Sequence, residues 1–228
     1  MKPRLLIVDP SMHTPEDEGV ATLAGAFGGE VTVLHPALRG NGPGPDTPHD
    51  WDGVVVLGSA ASVHDDWPWL QRLRSWVHPL VTGALPTPLL GICFGHQLVA
   101  HEALDQAADA VGFLRPDHEK DVGIVESRIS GSRLVGDLAV RTLISHREEV
   151  KRRPPGFQTV GHRDGVLHDA LEHESLPILT VQFHPEARAG FAQNRGLDVA
   201  GVDERLRTTT VALLRSFLAV VERSGASL

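Results

Sequence analysis

The chain has 228 residues, of which 41% are hydrophobic, so we expect one domain spanning residues 1–228 with a sizeable core. The formal net charge of −8 argues against a nucleic-acid partner and against binding to an anionic membrane surface. The single cysteine excludes an internal disulfide, and neither a signal peptide nor a membrane span is recognisable, so we expect a cytoplasmic location.

The first third of the chain alternates short apolar runs with helix-like segments. Residues 4–9, 31–34 and 52–57 are predicted as buried strands, while helices are predicted to begin near Pro15 and Pro68, because proline suits the first helical position. The stretch 36–48, rich in glycine and proline, is predicted as a surface loop. Strands that alternate with helices form parallel sheets covered on both faces. We therefore predict a three-layer α/β fold: a mostly parallel, twisted sheet with helices on both faces.

The stretch 88–97 is predicted to join a strand to a helix through a tight turn. The apolar run 89–92 is typical of a buried strand, and Gly91 and Gly95 flank Cys93, the only cysteine. A strand, a Gly-x-Cys-x-Gly turn and a helix form the nucleophile-elbow arrangement, in which small neighbours let the two backbones pass closely. The sulfur would stand at a helix N-terminus, where thiolate, the nucleophilic form, is favoured over thiol.

The rest of the chain is predicted to contain further strands and a C-terminal helix. Two short strands are expected within 110–129 around a charged turn, and another strand at 139–144. Closing strands are expected at 158–161, near Leu167 and over 176–183, and a terminal helix over 203–222.

A histidine and a glutamate follow the last of these strands. His184 and Glu186 would project to the same side, since side chains alternate along a strand. A thiol nucleophile needs a base and a group that orients that base. The sequence therefore predicts a Cys93–His184–Glu186 set, in which Glu186 comes after the histidine.

Two motifs, Gly-Ile-Cys-Phe-Gly-His-Gln at 91–97 and Val-Gln-Phe-His-Pro-Glu at 181–186, resemble the class I (triad) glutamine amidotransferase family. Within that family the chain looks like a stand-alone version of the glutaminase half of GMP synthetase. The resemblance covers nearly the whole chain to about Gly190 and implies the flavodoxin-like form of the α/β fold. It also implies that Cys93 attacks a γ-glutamyl amide and forms a thioester, without a cofactor.

The resemblance assigns further roles around the triad. The backbone of Phe94 and of the Gly58–Ser59 loop would form an oxyanion hole, although Ser59 replaces the usual second glycine. A substrate-binding set would comprise Gln97, Ser145, His146 and Arg147. Family members commonly carry Ser-His-Gly-Asp at 145–148, whereas this chain has Arg147 and Glu148. Either Arg147 points outward, or it holds a carboxylate of a different γ-glutamyl ligand.

Three functions remain open from the sequence. The first is a glutaminase that releases ammonia from glutamine and passes it to a separate synthetase, since the chain has no phosphate-binding loop. The second is a free-standing γ-glutamyl hydrolase or peptidase, and the third is a catalytically silent binding protein with this fold. The thirteen histidines show no metal-ligand spacing, so no metal is expected. The sequence does not indicate an oligomeric state.

Overall fold

The computed structural model describes residues 2–225, which form eleven strands and six α-helices. The strands are β1 (Arg4–Val8), β2 (Glu30–Leu34), β3 (Gly53–Val56), β4 (Leu89–Ile92), β5 (Val111–Phe113), β6 (Asp121–Ile129), β7 (Leu138–His146), β8 (Glu148–Val150), β9 (Phe157–Arg163), β10 (Val166–His173) and β11 (Ile178–Val181). The helices are α1 (Asp17–Ala26), α2 (Pro36–Arg39), α3 (Pro68–Val81), α4 (Phe94–Ala103), α5 (Ala189–Asn194) and α6 (Glu204–Gly225).

Nine of the strands form one sheet in the order β2-β1-β3-β4-β11-β10-β9-β6-β7. Strands β2, β1, β3, β4 and β11 are mutually parallel, whereas β10, β9, β6 and β7 continue the sheet with antiparallel pairing. The predicted α/β sheet with helices on both faces is confirmed. Its antiparallel block comes from the second half of the chain.

The two faces of the sheet support separate apolar clusters, and β1 contributes to both. Leu5 and Ile7 pack on one face with residues of α1 and α6, while Leu6 and Val8 pack on the other with residues of α3 and α4. All four side chains are fully buried. This continuous apolar run is what a parallel strand covered on both sides requires.

Two local expectations need correction. The segment 36–48, expected to be a loop, begins with the single helical turn α2, which ends at Gly40 with a φ of +65°. Two strands form within 110–129, but the second, β6, is nine residues long rather than short, and β5 pairs with β8 in a separate two-stranded sheet. Local periodicity identifies a strand but carries no information about a partner that lies far along the chain.

Strand β7 returns to the end of β11. The backbone N–H of His184 donates to the carbonyl oxygen of Leu143 at 2.8 Å, and these two residues form an isolated bridge. The last strand of the sheet order therefore contacts the residue that follows the central strand β11. No helix in the described part of the chain is long and apolar enough to cross a membrane.

Candidate active site

The turn between β4 and α4 presents Cys93 at the carboxyl edge of the parallel strands. Cys93 has a φ of +52°, a backbone conformation that residues other than glycine rarely adopt. Its N–H donates to Val181 O at 2.8 Å. A Cβ at Gly95 would lie 2.2 Å from Val56 O, and one at Gly91 would lie 2.6 Å from Gly95 O. The close approach of strand and helix therefore requires both glycines.

His184 and Glu186 form a buried pair. Their Nδ1 and Oε1 atoms are 2.8 Å apart, and the two residues are 5% and 0% exposed. Burial alone would lower the pKa of His184, but the Glu186 carboxylate and the Cys93 sulfur outweigh it and raise that pKa to about 10. The Glu186 carboxylate and the Cys93 sulfur therefore favour the charged form of the His184 imidazole.

Gly58 lies against both His184 and Cys93. A Cβ at this position would be 2.7 Å from His184 Cε1 and 3.7 Å from Cys93 Cβ, so a side chain here would displace the imidazole. The neighbouring Ser59 does not adopt a positive φ, so serine is compatible with this loop. Its hydroxyl donates to Pro10 O at 2.7 Å and accepts from the N–H of Ala61 at 3.1 Å, which anchors the loop.

A cavity of about 550 Å³ opens onto the sulfur. It brings together several of the residues predicted from sequence: Cys93, His184, Glu186, Gly58, Ser59 and Ser145. Phe94, whose backbone follows Cys93 directly, is the first residue of α4 and is fully buried. The first N–H groups of a helix have no partner within the helix, so the Phe94 N–H is available to a ligand, and its role in an oxyanion hole stays a prediction.

Three predicted substrate contacts do not line this cavity. Gln97 donates through Nε2 to Glu148 O at 2.7 Å and to Gln182 Oε1 at 3.3 Å, and Gln182 in turn donates to Cys93 Sγ at 3.6 Å. Gln97 therefore lies behind the sulfur, one residue removed from it. Its role as a substrate contact stays a prediction.

His146 points into the protein and Arg147 points outward. The Nδ1 of His146 bonds Glu148 O at 3.1 Å, and its Nε2 accepts from Arg163 at 3.0 Å, which together define a neutral ring. Burial and the Arg163 guanidinium lower the pKa of His146 to about 4. Arg147 is exposed, and its carbonyl accepts from the N–H of Leu114.

Several cavity residues were not predicted from the sequence, chiefly Glu16, Lys120, Phe191 and Arg195. Burial, and then the nearby carboxylate of Glu186, raise the pKa of Glu16 to about 7. These residues come from three separate segments without motif or periodicity. These four residues are recognised only in the structure, where the fold places their segments around the cavity.

Comparison with known proteins agrees with this architecture. The family model for class-I glutamine amidotransferases matches residues 42–199. A glutamine-hydrolyzing GMP synthase from Gibberella zeae is 36% identical over 138 residues, which are 59% of this chain and 24% of that protein. One subunit of the glutamine-hydrolyzing GMP synthase from Ignicoccus hospitalis is 28% identical over 179 residues, 74% of this chain and 90% of that one.

A solved structure has the same fold. The glutamine amidotransferase from Thermotoga maritima superposes with a TM-score of 0.75 at 17% identity, covering 97% of this chain and 99% of that chain. The fold and the cysteine elbow define a class I amidotransferase-like α/β protein. Since the family model covers more than half of the sequence, the chain belongs to the class-I glutamine amidotransferase family.

Proposed function

We propose that this protein hydrolyses the γ-amide of glutamine, with Cys93 as nucleophile, His184 as acid and base, and Glu186 as the group that orients His184. The observation that carries this proposal is the buried 2.8 Å pair between His184 and Glu186, facing the same cavity as the sulfur of Cys93. A cysteine nucleophile with an oriented histidine is the arrangement that acyl transfer from an amide needs.

In the first step the Cys93 thiolate adds to the γ-carbonyl carbon. Negative charge develops on the carbonyl oxygen, which the N–H groups of Phe94 and of the Gly58–Ser59 loop would stabilise. His184 then gives its proton to the departing nitrogen, so ammonia leaves and a thioester to Cys93 remains. In the second step His184 takes a proton from water, and the resulting hydroxide releases glutamate and restores the thiolate.

We further propose that the ammonia passes to a separate synthetase. The relative from I. hospitalis is named as one subunit of GMP synthase, which implies a second subunit in that organism. The family match over residues 42–199 accounts for the amidotransferase part, and the chain matches only 24% of the length of the G. zeae enzyme. On the pattern of the I. hospitalis relative, whose name is that of a subunit, we place the acceptor on a separate subunit.

A second candidate function is hydrolysis of a larger γ-glutamyl conjugate. The specific observation in its favour is the cavity of about 550 Å³, which has room for a leaving group larger than ammonia. The chemistry at Cys93 would be the same, with an amine in place of ammonia as the leaving group.

The test is an assay of the purified chain with glutamine and with a γ-glutamyl dipeptide. We expect release of ammonia from glutamine, and a Cys93→Ala variant slower by at least about 10³-fold, because the covalent step is lost. Iodoacetamide should add once per chain at neutral pH, since the sequence has one cysteine. Parental activity in Cys93→Ala would contradict the proposal, and preferential hydrolysis of the dipeptide would favour the second function.

A further inference from the structure

Arg195 is a solvent-exposed residue that lines the candidate active-site cavity, where its positive charge acts on the carboxyl of Glu16 without an ion-pair contact to any carboxylate among residues 2–225. Its Nε donates to the hydroxyl of Ser145 at 2.9 Å. Its guanidinium carbon lies 4.8 Å from the centre of the Phe191 ring, a cation–π distance. These two contacts fix the guanidinium while leaving its terminal N–H groups for a ligand.

The position of Arg195 relative to the reactive residues suits the length of a γ-glutamyl group. The Phe191 ring lies 4.5 Å from the His184 ring, so the guanidinium is no further from the imidazole than these two distances combined. The γ-carbonyl and α-carboxyl carbons of glutamine are joined by four single bonds and lie roughly 5 Å apart when extended. A substrate with its amide at Cys93 can therefore extend its carboxylate toward Arg195.

We propose that Arg195, held by Ser145 and Phe191, binds the α-carboxylate of the substrate and restricts the site to γ-amides of free α-amino acids. This inference rests on the proposed function, since it concerns the substrate of the same cavity. A planar guanidinium can donate two parallel hydrogen bonds to a carboxylate, which gives both affinity and orientation.

Two other cations are less suited to this role. Arg147 is exposed and does not line the cavity. Lys120 does line it, and partial desolvation together with the charges of Arg195 and Arg147 lowers the pKa of Lys120. Its ammonium is a point charge on a flexible stem and lacks the paired, planar donors of a guanidinium, so it adds to the positive potential near Arg195 rather than defining a carboxylate position.

Binding to a Cys93→Ala chain tests the inference without requiring turnover. We would titrate this protein with glutamine and with its α-methyl ester by calorimetry, with and without Arg195→Gln. We expect Arg195→Gln to weaken glutamine binding by about 10–100-fold, the usual size for a charge-assisted pair, and to change binding of the ester by less than about twofold. Arg195→Lys should recover part of the loss.

Arg152→Gln is the matched control, because it removes the same charge from an exposed arginine that pairs with Asp109 away from the cavity. It should leave both affinities unchanged. The inference would be overturned if Arg195→Gln weakened binding of glutamine and of the ester equally, or weakened neither. It would also be overturned if Arg147→Gln showed the selective loss instead, or if glutamine did not bind at 10 mM, roughly the weak-affinity limit of such titrations. Absence of ammonia release by the unmodified chain would count against the proposed function alone, since binding is measured independently.

Discussion

Glu16 and Glu186 occupy one small region beside the sulfur. A Cβ placed at Gly19 would lie 2.8 Å from Cγ of Glu186 and 3.1 Å from Cγ of Glu16, so the two acidic side chains flank the same point. Two carboxylates this close do not both ionise easily in a partly buried site. Glu186 is paired with His184, whereas burial and then the nearby Glu186 charge raise the pKa of Glu16.

This arrangement predicts a pH-dependent difference between the parental chain and Glu16→Gln. The pKa of Glu16 is about 7 in the folded protein against 4.5 ordinarily, so the folded state binds the extra proton more tightly. The stability that protonated Glu16 contributes to the parental chain is therefore lost as the pH rises from about 4.5 through 7, whereas Glu16→Gln lacks this pH-dependent contribution. Urea unfolding measures this effect. The free energy of unfolding of Glu16→Gln minus that of the parental chain should be larger at pH 8 than at pH 4.5 by on the order of 1–2 kcal/mol, after allowance for solvent screening.

A difference between the two proteins that stays constant with pH would contradict this reading of Glu16. Asp17→Asn serves as the control, because Asp17 is an exposed neighbour in the first turn of α1. Its unfolding free energy should follow that of the parental chain across the same range.

Among the site residues, the sequence predicts those that lie in short contiguous motifs. Cys93, His184 and Glu186 could be grouped from two motifs, because an elbow and a strand end each dictate where their side chains point. Glu16 and Arg195 could not, because each enters the cavity from a separate loop or helix end. Their meeting depends on tertiary packing, about which sequence spacing says nothing.

The nucleophile elbow requires strand β3 and helix α4 to pack unusually close together. Helix α4 approaches β3 so closely that the carbonyl oxygen of Val56 occupies the place where a side chain of residue 95 would begin. Helix α1 has a glycine too, Gly25, with nothing within 4 Å of a Cβ built there. Gly95 is therefore required for steric reasons, whereas the space around Gly25 would admit a side chain.

We therefore expect opposite effects from the same substitution at these two positions. Gly95→Ala should destabilise the protein by about 1–3 kcal/mol, since a backbone atom must move, and should reduce the rate of Cys93 alkylation. Gly25→Ala should stabilise it by about 0.5 kcal/mol, because alanine has a higher helix propensity than glycine in the exposed last turn of α1. Chemical denaturation of both variants measures the contrast, and a Gly95→Ala chain as stable as the parental one would refute the steric argument.

The elements around the parallel strands were predictable because each has a local sequence pattern. Continuous apolar runs indicate β1 and β4, and a proline indicates where α3 begins. The pairing of β5 with β8 was not predictable, because two three-residue strands carry too few residues to specify a partner.

Across the whole molecule, the antiparallel block is tied together by a buried ionic cluster. Asp169 of β10 is fully buried and accepts from Arg163 Nε of β9 at 3.1 Å and from the hydroxyl of Ser127 of β6. Arg163 also donates to His146 of β7. One aspartate and one arginine therefore connect four strands.

Removing this aspartate should be far more costly than removing one on the surface. Asp169→Ala leaves the Arg163 guanidinium with Asp121, at 3.3 Å, as its remaining acidic partner. It also removes the acceptor of the buried Ser127 hydroxyl, so we expect a loss of about 2–4 kcal/mol. Asp109→Ala breaks the exposed pair with Arg152, whose side chains are 68% and 47% exposed, and should cost less than about 1 kcal/mol. Equilibrium unfolding in urea compares the two, and similar losses would show that the cluster does not hold the block.

The bridge from Leu143 to His184 ties strand β7 to the backbone of the proposed base. The amide hydrogen of His184 is protected by a carbonyl on β7, so it exchanges with deuterium only when that strand swings away. Each such opening also withdraws support from the proposed base. The exchange rate at this single amide therefore measures how often local opening disturbs the candidate active site.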